Sequence, residues 1–136
     1  MTSFKSLVYR SRQTALMTPS AMNLLLQRAR IRNERLGLTG VLLHDGTCFM
    51  QCLEGPAAAI DTVYPLIAAD RRHRDVELVF ERNSSEREFK NWAMGYVSVH
   101  SEDRPTDLRT LGLSGETPEP GSARQVLVGF LGAQSA

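Results

Sequence analysis

Apolar and polar positions divide the chain into short segments of two alternating kinds. Residues 4–10 (FKSLVYR) follow a strand period, with Leu7 and Tyr9 on one face and Ser6 and Val8 on the other. Met22, Leu25, Leu26 and Ala29 then recur at the i, i+3, i+4, i+7 spacing of a helix face. Thr18 offers an N-cap oxygen, Pro19 fits the first helical position and Gly37 suits a left-handed C-cap, which predicts a helix over 19–36. Residues 41–44 and 47–53 flank Asp45-Gly46, a hairpin signal because both central residues of a type I′ turn need positive φ. Gly55-Pro56 opens a second helix whose stripe is Ile60, Val63, Tyr64 and Ile67, with Glu54 favourable to that helix's dipole. Residues 76–81 alternate as a fourth strand, 85–91 form a short helix or turn, and 94–100 form a fifth strand. A linker-like stretch at 114–121 separates two short helices expected at 106–111 and 122–131.

The order βαββαβ followed by one more strand predicts an α+β, ferredoxin-like sandwich with an added fifth strand. Right-handed crossovers put both of its helices on one side of the sheet. Yet in the third strand Phe49, Gln51 and Leu53 face one way and Cys48, Met50 and Cys52 the other, and both sets are mostly apolar. The second face therefore needs a cover, and the C-terminal helices or a partner subunit are expected to supply it. This divides the chain into a core at 1–100 and a C-terminal helical extension at 101–136.

Three polar side chains fall on positions that should be buried: Tyr9 beside Leu7, Asn33 four residues beyond Ala29, and Gln51 between Phe49 and Leu53. A buried polar group without a partner costs about 1–3 kcal/mol. These three either satisfy one another and the backbone or meet a planar heterocycle with mixed donor and acceptor edges.

Composition narrows the classes. With 136 residues the chain has the size of one domain, and 16 basic against 15 acidic residues give no electrostatic case for a nucleic-acid or membrane partner. The basic residues cluster at Arg28, Arg30, Arg32 and Arg35 and again over residues 71–74, a rim that suits a small anion better than a polymer. Cys48 and Cys52 lie too far apart along one strand for a disulfide and too few for a metal site. They read as reduced core residues and favour the cytoplasm. No apolar run approaches the roughly 20 residues of a membrane span, and the N-terminus has no signal-peptide core.

Five motifs in register then resemble one family. They are residues 7–11 (LVYRS), 29–40 (ARIRNERLGLTG), 49–55 (FMQCLEG, as F-x-Q-x-L-E-G), 70–73 (DRRH, as D-x-R-H) and 87–94 (REFKNWAM, as R-x-F-x-x-W-x-M). Together they cover about residues 4–100 and resemble the BLUF domains, sensors of blue light. The resemblance implies FAD, its ring held between the two sandwich helices. By position, Tyr9 is the photochemical electron and proton donor and Gln51 the switch beside it. Asn33 holds the ring's carbonyl edge, Leu25 packs on the ring, and Phe49 shares the site. Arg32 stands where other members often carry Asn or His; its guanidinium can stack on the ring or reach the phosphates. Arg72 and His73 serve the outer cofactor, with Asp70 orienting them. Trp92 and Met94 are the family's conformationally ambiguous pair near Gln51. The resemblance implies a photoreceptor without catalysis of its own that signals to a protein partner or through a homodimer. The competing readings are a dark flavoprotein and a ferredoxin-like small-ligand sensor without flavin.

Overall fold

The computed structural model describes residues 3–90, 92–98 and 121–135. In chain order its elements are β1 (Phe4–Gln13), α1 (Pro19–Leu36), β2 (Thr39–His44), β3 (Cys48–Pro56), α2 (Ala57–Ala68), β4 (His73–Ser84), β5 (Gly95–Ser98) and α3 (Ala123–Ser135). The strands form one sheet in the order β4-β1-β3-β2-β5. Neighbours among the first four pair antiparallel, and β5 joins the free edge of β2 in parallel. This is the ferredoxin-like α+β sandwich with one strand added.

Local chemistry explains most boundaries. Thr18 Oγ1 accepts from the Ala21 N–H at 3.1 Å, Pro19 follows, and Gly37 closes α1 at φ 71° with its N–H on the Asn33 carbonyl. The hairpin differs from expectation. Asp45 N–H bonds the Cys48 carbonyl, so the central residues are Gly46 and Thr47, and only Gly46 has a positive φ, at 96°. That is the type II′ pattern, not type I′. Asp45 sits at the corner instead, its carboxylate accepting from Thr47 N–H at 2.9 Å and Cys48 N–H at 2.6 Å. The alternation expected in β4 also breaks. Val8 faces Phe80 while Tyr9 faces Leu78, which leaves Val79 as a bulge, and Val79 and Phe80 pack on the same core. Residues 85–90 are a turn without a helix.

Both sheet faces are buried. On one, Leu7, Tyr9, Leu42, Phe49 and Leu53 pack against Met22, Leu26 and Ala29 of α1 and Ile60 and Val63 of α2. On the other, Val8, Val41, Leu43, Met50, Cys52 and Val97 pack against Phe89 and against Ala123 and Leu127 of α3. The cover expected from the C-terminal extension is thus α3; the helix expected at 106–111 and the end of the fifth strand at 99–100 lie outside the described residues. Glu54 is a correction. It does not serve the start of α2, because its strand parity is that of Cys52 and Met50, and it points to the α3 side. There its carboxylate accepts from the N–H groups of Glu88 and Phe89 at 2.7 and 2.8 Å.

Leu127 is fully buried in the α3 core. Leu127→Ala is expected to destabilise the fold by about 2–4 kcal/mol in urea unfolding. It should leave FAD uptake intact, since the other sheet face is untouched.

Candidate functional site

The middle of the sheet carries an aligned polar row. Tyr9 on β1 lies directly opposite Gln51 on β3, which lies opposite Leu42 on β2. Tyr9 is 3% and Gln51 6% exposed. The Tyr9 hydroxyl donates to Gln51 Oε1, and Gln51 Nε2 lies 3.4 Å from the Met94 sulfur. A thioether sulfur only accepts, so Met94 fixes which end of the amide faces it, and Oε1 is left for Tyr9. Burial pushes the Tyr9 hydroxyl well above its ordinary pKa, so it stays protonated near neutrality.

This row floors a cavity of about 220 Å³ between α1 and α2. Leu25, Ala29, Leu42, Phe49 and Ile67 supply apolar walls, and Gln51, Arg32, Asp70 and Arg72 supply polar edges. Arg32 is half-buried, and burial lowers its pKa, opposed by the nearby Tyr9 oxygen. Its guanidinium reaches Asn33 Oδ1 at 3.2 and 3.3 Å and pairs with no carboxylate among the described residues. A half-buried cation without a counter-ion among the described residues, beside an apolar-walled cavity, fits an anionic cofactor such as FAD.

At the rim, Arg72 folds back on Asp70. Its N–H and Nε bond Asp70 Oδ1 at 2.9 and 3.0 Å, and this pairing, with its backbone bond and charge, holds the Asp70 carboxyl down to about 2. His73 is tied on both sides. Nε2 lies 2.6 Å from the Ile67 carbonyl, which only accepts, so Nε2 carries a proton; Nδ1 lies 2.7 Å from Ser11 Oγ. His73 thus forms wall, edge-on to Tyr9 at 6.0 Å.

Eight of the residues expected from the sequence line this cavity: Tyr9, Leu25, Arg32, Phe49, Gln51, Asp70, Arg72 and His73. Three do not. Met94 is fully buried and reaches the site through Gln51. Trp92 packs against the α3 core on the opposite face. Asn33 is fully buried, and its amide donates to the Ala93 carbonyl at 2.6 Å. That bond belongs to a clamp: Gly40 N–H holds the Trp92 carbonyl at 2.9 Å, Asn33 that of Ala93, and Arg30 Nε that of Met94 at 3.0 Å. Three successive carbonyls are therefore fastened from α1 and β2. The role of Arg30 is not legible in the sequence, because an exposed arginine on a polar helix face carries no signal of its long-range partner. Arg87, first residue of the last motif, ties the α1–β2 junction through the Gly37 carbonyl at 2.6 Å and Thr39 Oγ1 at 3.1 Å.

The family described as BLUF, sensors of blue-light using FAD, matches residues 4–95. The beta subunit of a photoactivated adenylate cyclase from Euglena gracilis is 34% identical over 94 residues, covering 68% of this chain and 11% of that protein. An alpha-like subunit from the same organism is 38% identical over 84 residues, covering 62% of this chain and 8% of that protein. The chain thus spans about a tenth of these relatives. The dark-state structure of BlrB, a BLUF protein, aligns over 99% of this chain and 98% of its own, with a TM-score of 0.71 and 36% identity. Klebsiella pneumoniae BlrP1 with FMN and cyclic diGMP aligns over 95% of this chain and 34% of its own, with a TM-score of 0.80 and 30% identity.

Because folding depresses the Asp70 pKa, its contribution is present above about pH 4 and is lost as the pH falls through about 2. Asp70→Asn is expected to destabilise the protein by about 1 kcal/mol at pH 7, a value screened by solvent, and hardly at all at pH 2. Thermal melts of both proteins across that range check it.

Proposed function

This chain belongs to the BLUF family, sensors of blue light using FAD, and we propose from that premise that its switch is the buried line Tyr9–Gln51–Met94, read out through the clamped segment at residues 92–94. The observation that supports this most directly is the fixed Gln51 amide, held between a hydroxyl that donates and a sulfur that accepts. FAD bound between α1 and α2 supplies, on absorbing blue light, a strong electron acceptor. Leu25, Ala29 and Ile67 are suited to its ring, Arg32 to its polar edge, and Arg72 with Asp70 to its outer part.

Tyr9 is the donor, because it is buried, oxidisable and still protonated. Among the described residues its proton has one direct acceptor, Gln51 Oε1. Transfer along that bond and back lets the Gln51 amide settle rotated, while return to Tyr9 of a proton from Nε2 in place of the one received at Oε1 leaves it tautomerised. Rotation takes the N–H off the Met94 sulfur and turns it toward the cavity; the tautomer presents an Oε1–H donor instead and leaves one fewer N–H for the sulfur. The segment at 92–94 then loses one of its contacts, and the change biases the C-terminal side of the sheet. The chain acts as a sensor module, with no catalysis of its own, and hands the signal to a protein partner or a second copy. Two free cysteines, one of them fully buried, suit a reducing compartment, which we take to be the cytoplasm.

FAD-loaded protein is expected to show a small, reversible red shift of the flavin band under blue light. Gln51→Leu should keep the flavin and lose the shift, because leucine offers neither donor nor acceptor; a normal light-minus-dark spectrum in this variant removes Gln51 from the mechanism. Asn33→Ala should free the Ala93 carbonyl and the Arg32 guanidinium and destabilise the fold by about 1–3 kcal/mol. Urea unfolding checks it, and an unchanged midpoint argues against Asn33 as the middle tie on the 92–94 segment.

A further inference from the structure

On the α3 side of the sheet, where Val8, Met50 and Cys52 are apolar, Glu54 is a carboxylate only 1% exposed. Apolar packing would favour another residue there, and burial raises the Glu54 pKa against two backbone bonds that lower it. Those bonds say what it holds: the N–H groups of Glu88 and Phe89, at 2.7 and 2.8 Å. The Glu88 side chain repeats the arrangement one step further out. Its carboxylate accepts from the N–H groups of Ala123 and Arg124, at 2.8 and 3.1 Å, capping the first turn of α3. Arg124 returns the contact by donating to the Glu88 carbonyl at 2.8 Å and covering the Phe89 ring at 5.0 Å. The turn is also joined to the sensing side, since Trp92 N–H bonds the Phe89 carbonyl at 3.1 Å, two residues before Met94.

We propose that the turn at residues 88 and 89 is the joint through which a change at Gln51 reaches α3, with Glu54 holding the turn to the sheet and Glu88 holding the helix to the turn. Displacement of the 92–94 segment pulls on the Phe89 carbonyl. Glu54 keeps the turn from sliding along β3, so the motion goes into the Glu88 side chain and loosens or tightens the first turn of α3. Glu54 and Glu88 are positioning residues, since neither touches the cavity. The inference rests on the proposed Gln51 switch, and the red shift tests that switch separately.

The test is residue-resolved amide hydrogen exchange on the FAD-loaded full chain, in the dark and under steady blue light. Wild type should show a light-dependent change at Ala123 and Arg124. Glu88→Ala should keep the red shift, exchange those two amides about tenfold faster in the dark as expected for a lost cap, and lose most of their light dependence. Glu88→Gln keeps the side-chain volume and one acceptor oxygen. It should fall between the two and decides the question should Glu88→Ala not fold. A Glu88 variant whose α3 amides keep their full light dependence overturns the proposal, as does a wild type with a normal red shift and no light-dependent change in α3. A wild type without the red shift overturns the Gln51 switch instead.

Discussion

Two polar side chains, Tyr9 and Gln51, face each other in the centre of an otherwise apolar sheet face, and much of the remaining structure serves to keep them paired. Left unpaired there, each would cost about 1–3 kcal/mol. Their bond exists only in the β1–β3 register that sets residue 9 opposite residue 51. A slip by one residue would turn Gln51 to the α3 side and replace it with Met50 or Cys52. The far end of the amide needs an acceptor too, and Met94 provides it. Met94 in turn stays in place because three carbonyls around it are held by Gly40, Asn33 and Arg30. The segment that leads into β5 therefore completes the row, and β5 itself widens the sheet.

Both sheet faces are covered because both sets of side chains on the central strands are mostly apolar, and the outer face is closed by α3, not by water. A movement at the proposed switch on the inner face therefore meets packed side chains on the outer one. Trp92 and Met94 divide between the two faces: Met94 touches Gln51, and Trp92 packs on the α3 core. A two-residue interval in one segment thus spans the sheet.

The sequence made much of this readable, for definite reasons. The limits of α1 follow from Thr18, Pro19 and Gly37, whose cap chemistry is local and needs no knowledge of the rest. The burial of Tyr9, Asn33 and Gln51 follows from periodicity alone. Partners do not, because they are long-range. Asn33 was expected to meet a cofactor and already holds the Ala93 carbonyl. Glu54 reads as an aid to the adjacent helix until strand parity turns it to the other face, where its partners are more than 30 residues away. At Asp45-Gly46 the hairpin was legible but not its type, because the Asp45 carboxylate takes the corner and moves the two-residue loop on by one.

In the proposed switch the Tyr9 hydroxyl and the Gln51 amide act as one unit. The most direct measurement is the light-minus-dark absorption spectrum of FAD-loaded Tyr9→Phe, which deletes one oxygen and preserves the ring packing. Bound flavin with no reversible red shift is expected, because no proton remains to reach Gln51 Oε1. A red shift of wild-type size that forms and decays in Tyr9→Phe would contradict it.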